Sequence, residues 1–486
     1  MKRKVIIVIA AILVIVLPIA AVLGVAFLWN PQFDNLFTAA VCDKIERMEN
    51  IDGPKAIIVG GSSTAFGLRS DLLEEEIGMP VVNLGVYASL GTKLMLDISR
   101  EYVGEGDVVV IAPELDAQTY SLYFSMYDTL QGFDGNFKYL RLVADENKSD
   151  LAGTIWKFAA SKFSYIIKGK PDPAGVYNRS SFNEYGDISY PRPYNVMMLG
   201  YDTDNVISFD YESIVSNEFV TYVLAYAEDC AKKGATVYFS FAPMNSLALA
   251  ESTTQKDMYD FYTKLAAAFS PDDGGDPVIK VISVPNAYVY DSAYFYDTNT
   301  HLNDAGAILR TARLASDMKR QMGISTPLGI TIPPKPEKPA EHQGEEWITE
   351  GQTDPELFVL EDYGDIYAVI GSKDAAKDLT EIVVPTYYSG KRIAVIGKGA
   401  FAGCEKLETV TVPSGIMQIA GGAFEGCPSL KRIRLLTQSA DALNVGDELL
   451  DGAPDDCVII LVNAKISDFN NHYYWSKYAH RMKEEK

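Results

Sequence analysis

Histidine is nearly absent from this chain: there are four in 486 residues, and through residue 341 the only one is His301. Any imidazole base in that part of the molecule must therefore be His301. Cysteine is sparse as well. Five cysteines in 486 residues do not make a disulfide framework, and none forms a CxxC pair. With one upstream histidine, no zinc site of ordinary Cys/His spacing can be assembled, so neither a metal nor a cofactor is expected. Basic residues are outnumbered, 43 Lys and Arg against 65 Asp and Glu, for a formal charge of −22. That balance lacks the basic footprint a nucleic-acid binder needs. Neither a GxxxxGK[ST] nor a GxGxxG motif occurs, so nucleotide readings lose ground.

Charge is also missing from one long stretch. After MKRK, the 25 residues from Val5 to Trp29 carry none, and the only proline is Pro18. As a helix this run would extend about 37 Å, enough for a hydrocarbon core of about 30 Å. Lys2, Arg3 and Lys4 should stay cytoplasmic, placing everything after Asn30 outside. The expectation is a single-pass protein of the cell membrane, with residues 1–30 as basic stub and transmembrane anchor. A cleaved signal peptide is the other reading, but the run is longer than usual and ends in FLWNP.

From Lys55 short apolar runs alternate with helical patterns: AIIVG (56–60), SDLLEEEIG (70–78), PVVNLG (80–85), TKLMLDISREYV (92–103), DVVVIAPE (107–114). This rhythm predicts a parallel sheet covered on both faces, an α/β domain over 31–325. An aromatic-rich stretch from about 115 to 212 interrupts it and reads as a mostly helical insertion. The pattern resumes with a helix (216–234), a strand (236–243), a helix through 261–269, a strand (278–285) and a closing helix from about Asn303 to Met322. Five prolines among charges over 326–346 predict an extended linker, taken as 326–350. In the remaining domain, 351–486, GAFAGCEKLETVTVP (399–413) returns as GAFEGCPSLKRIRLL (422–436). Ala400/Ala423, Phe401/Phe424, Cys404/Cys427 and Leu407/Leu430 are each 23 apart. A period in the twenties predicts a solenoid whose coils stack phenylalanines and cysteines.

The first domain holds the candidate chemistry. A serine needs a base to take its proton and N–H donors to hold an oxyanion. AIIV running into GGSST supplies a serine on a tight glycine turn after a strand, and YFYDTNTHLNDAG (294–306) supplies the histidine. The order Gly61-Ser62-Ser63, Gly85 in VVNLG, then Asp297 and His301 resembles the SGNH (GDSL-like) hydrolase superfamily over residues 55–322. The GSS triplet and N-terminal anchor resemble its DltD-like, membrane-anchored branch. The resemblance implies a three-layer, flavodoxin-like α/β fold. It implies Ser63 as nucleophile, His301 as base, Asp297 as the orienting acid, and the backbone N–H groups of Ser63 and Gly85 as oxyanion hole. Ser62, Asn83 and Glu114 are candidate site-lining residues. Two departures stand out. The acid lies four residues before the histidine instead of three, and the third strand ends in APELD (112–116) where the superfamily has GxND. The repeats resemble BspA-type leucine-rich repeats over 355–482, which implies a protein or surface ligand.

These readings give an extracytoplasmic serine acyltransferase or esterase acting on cell-envelope polymers through an acyl-serine. The expected partners are a glycan or teichoic-acid-like acceptor and a membrane-bound O-acyltransferase, with no nucleic acid. The alternative is a non-catalytic cell-surface adhesion or scaffold protein whose SGNH-like domain is degenerate.

Overall fold

The computed structural model describes residue 14 and residues 16–485 apart from 172, 174, 198, 271–276, 338–350, 365, 438, 447–448, 463, 471 and 473. The chain divides into two compact units: residues 1–195 with 206–337, and residues 196–205 with 338–486. Residues 5–13 and 15 of the expected anchor lie outside the described residues. Among those that are described, no helix is long and apolar enough to cross a membrane. Residues 16–23 are helical and Gly24–Leu28 forms a wider π turn that ends at Trp29.

The first unit is built on five strands: β1 (Ala56–Val59), β2 (Val81–Asn83), β3 (Val108–Ile111), β4 (Thr236–Phe239) and β5 (Ile279–Val281). Their order is β2-β1-β3-β4-β5, all parallel, with Ala56 level with both Val81 and Val108. The helices that matter are α1 (Ala40–Asn50), α2 (Ser62–Phe66), α3 (Ser70–Ile77), α4 (Thr92–Tyr102), α5 (Met126–Gly132), α6 (Leu151–Lys168), α7 (Asn217–Lys232), α8 (Gln255–Ala268) and α9 (Asp304–Met322).

Strand side chains alternate between faces. Ala56, Ile58, Val108, Val110 and Tyr238 form one core with Leu73 and Ile77 of α3 and with Leu314, Ala315 and Met318 of α9. The intervening Ile57, Val59, Val109 and Ile111 are equally buried on the other face, where α4 and α7 pack. That double burial is why the strands read as unbroken apolar runs. The stretch expected as a helical insertion holds α5, α6 and several short helical turns, joined by loops. Residues 326–337 of the expected linker carry no helix or strand. Residues up to 337 lie along the first unit, where the Ile330 N–H donates to Glu76 (3.1 Å) and Lys335 pairs with Asp291 (2.6 Å).

Strand order fixes where a site can form. From β1 the chain moves to one side for β2 and to the other for β3, so the segments leaving the carboxyl ends of β1, β2 and β3 diverge there. A crevice opens at such a switch point.

The second unit is a solenoid. One parallel sheet runs Glu381–Val383, Thr409–Val412, Arg432–Leu435, Val458–Val462, Met482–Glu485, and Thr409 is level with Arg432. The 23-residue sequence period is thus one coil. Phe401 and Phe424 stack at 5.5 Å with planes 11° apart. Cys404, Cys427 and Cys457 are buried free thiols, all pushed up by burial, Cys427 to about 12 and Cys457 to about 11. Trp475 closes the far end of this core, its indole N–H donating to the Leu443 carbonyl at 2.9 Å.

Candidate functional site

The turn after β1 places Ser62 at the start of α2, directly outside the switch point. Gly60 and Gly61 are dictated by crowding. A Cβ on Gly61 would lie 2.4 Å from a carboxylate oxygen of Glu114, and one on Gly60 would lie 2.7 Å from the Ala112 carbonyl. Gly85 is held to the same standard, since a Cβ there would meet the Ala65 nitrogen at 2.6 Å.

The histidine arrives on a loop that closes on itself. Phe295 bridges Leu302, the Tyr296 N–H donates to the His301 carbonyl at 2.8 Å, and the Asn303 side chain caps α9 through Gly306 at 3.0 Å. His301 stacks on Phe66 with centroids 4.0 Å apart and planes 7° apart. Its Nε2 lies 2.8 Å from Ser62 Oγ, and its Nδ1 lies 2.9 Å from Asp297 Oδ1. The other Asp297 oxygen accepts a 2.6 Å hydrogen bond from the Tyr177 hydroxyl. With Nδ1–H directed at the carboxylate, Nε2 is the nitrogen left to accept the Ser62 proton.

The hydroxyl facing His301 therefore belongs to Ser62, where the resemblance implied Ser63. Ser63 is fully buried and its Oγ has no hydrogen-bond partner. Neighbouring residues on a helical turn point about 100° apart, so two adjacent serines cannot both face one imidazole. The sequence did carry a signal for the choice. Residues four apart share a helix face, and Ser62 is four before Phe66, the ring under His301, while Ser63 is four before Gly67.

The two N–H groups expected to hold an oxyanion are occupied. The Ser63 N–H donates to Glu114 Oε1 at 2.8 Å, and the Gly85 N–H donates to Asn83 Oδ1 at 2.9 Å. Glu114, at the end of β3, thus lines the serine turn itself, with its second oxygen buried and unpartnered. Asn83 is a clamp: its amide donates to the Thr64 carbonyl (2.9 Å) and to buried Asp187 (2.7 Å), which also accepts from Ser70. Burial pushes the Asp187 carboxyl up and lowers the Lys44 ammonium to about 7. Lys44 donates to the carbonyls of Asn83 (2.9 Å) and Gly186 (2.5 Å).

Two arginines brace the turn from beneath. Arg310 of α9 donates to the Ser63 carbonyl at 2.8 Å, and Arg192 donates to the carbonyls of Phe66 (2.7 Å) and Leu302 (2.9 Å). Arg192 thereby ties the serine turn to the histidine loop. Tyr177, Asp187 and Arg192 all come from the stretch before β4, where no sequence pattern marks them. Among the described residues no group of His, Cys, Asp and Glu could hold a metal ion.

None of the curated proteins matches this chain. One family model does match, and it lies in the solenoid: residues 375–445 are a BspA type leucine rich repeat region (6 copies).

Proposed function

We propose that the α/β unit is a serine acyl-transfer catalyst, an O-acyltransferase or esterase, with Ser62 as nucleophile, His301 as general base and Asp297 as orienting acid. The observation that carries this reading is the 2.8 Å contact of His301 Nε2 with Ser62 Oγ, with Asp297 on the opposite ring nitrogen. Removal of the Ser62 proton by Nε2 would let Oγ attack an ester or thioester carbonyl, and the leaving alcohol or thiol would recover that proton from the imidazolium. The acyl-serine would then be taken by a hydroxyl of a cell-envelope polymer or by water. The likeness to SGNH hydrolases and their DltD-like, membrane-anchored branch rests on these residues and on the parallel sheet. An outward-facing, membrane-anchored location follows from the uncharged run Val5–Trp29 behind Lys2, Arg3 and Lys4. The repeats, a type common in surface and adhesion modules, would bring the unit to a protein or surface ligand.

The second reading is a non-catalytic surface protein. It is favoured by the occupied donors, since the Ser63 and Gly85 N–H groups are held by Glu114 and Asn83. A fluorophosphonate probe separates the two on the full chain. The catalyst reading expects covalent labelling that Ser62→Ala abolishes and Ser63→Ala retains. Folded protein that takes no label, or label that survives Ser62→Ala, overturns it.

A further inference from the structure

Helix α6 carries apolar side chains on both of its faces. Its inner face buries Ile155, Phe158 and Ala159, with Phe158 against Phe33 at 5.5 Å. Its outer stripe, Ala152, Trp156, Ala160, Phe163 and Ile167, follows helical spacing and is exposed along its length. Trp156 is 50% exposed, Phe163 52% and Ile167 70%. An apolar stripe of this kind on a surface marks a contact.

Two further observations say what covers it. The end of the uncharged N-terminal run packs on α6 and is exposed alongside it, Leu28 at 86% and Trp29 at 52%. Lys162 pins the two together. Fully buried, it pairs with Asp134 at 2.6 Å and donates to the carbonyls of Ala26 (3.2 Å) and Trp29 (3.1 Å). Charge is the second observation. In a chain of net charge −22, residues 151–170 contain no Asp or Glu, while Lys157, Lys168 and Lys170 flank the stripe, Lys170 paired with Asp34. Apolar residues with large rings beside lysines, on a helix that itself carries no acid and has Asp150 only at its cap, suit an anionic lipid surface.

We infer that the outer face of α6 seats on an anionic lipid bilayer, with Trp156, Phe163 and Ile167 among the upper acyl chains and Lys157 and Lys168 at the headgroups. The α/β unit is then held against the membrane by a second contact beside the N-terminal run. This inference is independent of the Ser62 chemistry.

The test uses the full chain reconstituted into vesicles of phosphatidylcholine and phosphatidylglycerol, with and without lipids brominated near the top of the acyl chain. The emission difference between wild type and Trp156→Phe isolates Trp156, an exposed position where the substitution leaves the core untouched. A seated indole lies about 5–10 Å into the headgroup and acyl boundary, so the brominated lipid quenches that difference. The Trp29→Phe difference reports the N-terminal run separately. A Trp156 emission indifferent to bromine overturns the inference, even where Trp29 is quenched. Acrylamide then tells the alternatives apart: quenching means the stripe faces water, and protection means protein, such as a second copy, covers it.

Discussion

The two units share apolar cores but differ in the polar side chains they bury. Every buried charged residue among those described lies between Lys44 and Lys319. The solenoid's buried polar side chains are four threonines: Thr386, Thr409, Thr411 and Thr437. Its core is otherwise a ladder of Ile, Val, Leu, Phe, Cys and Ala, closed by Trp475, Tyr478 and Met482. The α/β unit instead interleaves its apolar sheet with Lys44, Asp187, Arg192, Arg310 and Glu114 around one turn. A repeating apolar ladder can be built coil by coil, because neighbouring coils satisfy each other. A buried polar cluster costs free energy for every group whose partner does not arrive from elsewhere in the chain, as with the second Glu114 oxygen. The Ser62–His301–Asp297 contacts sit in the unit that accepts that cost.

Three measurements would break or sharpen this contrast. The largest effect is expected at the polar cluster. Asp297→Asn leaves Tyr177 a partner but removes the carboxylate that orients His301, so probe labelling should slow about a thousandfold or more. Unchanged labelling kinetics would remove Asp297 from the reaction. Next comes the ladder: Phe424→Ala opens a hole against Phe401 and should destabilise the solenoid by about 3–5 kcal/mol, read as an earlier denaturant transition. Labelling of the α/β unit should not change, and a matching loss there would show that the units do not behave separately.

The smallest effect is a difference in sign with pH. Lys44 is lowered from 10.5 to about 7 by burial, so above about pH 7 the unfolded state binds the extra proton and stability of the α/β unit rises with pH, by up to about 1.4 kcal/mol per unit. That gain should be clearest between about pH 7 and 9, before the raised thiols Cys42 and Cys230 oppose it, and Lys44→Met should flatten it. In the solenoid Cys404, Cys427 and Cys457 are all raised from 9.0, so their contribution is intact below about pH 9 and is lost above it. Parallel pH profiles for the two units would contradict the contrast.

Legibility in the sequence follows the same division. The 23-residue register of Phe401 and Phe424 stood in the letters, because each coil meets an image of itself. The five strands were legible as apolar runs, since parallel strands buried on both faces carry no polar alternation. His301 could be chosen by scarcity. The Ser62-to-Phe66 spacing tells Ser62 from Ser63 only once the fold has put Phe66 under His301. Tyr177, Asp187 and Arg192 left no trace, because the contacts that matter here reach residues more than a hundred positions away, Asp297, Ser70 and Asn83, or bare carbonyls.

By itself, the sequence determined the alternation that makes the sheet, the period that makes the solenoid, the identity of the lone histidine and the uncharged N-terminal run. Only the tertiary structure decided which serine faces that histidine, and that Glu114 and Asn83 occupy the donors beside it. Periodic burial is a local property repeated along the chain, whereas a hydrogen bond at 2.8 Å depends on where two distant loops are braced. Here that bracing falls to Arg192, Arg310 and Asn83, through carbonyl groups that every residue possesses.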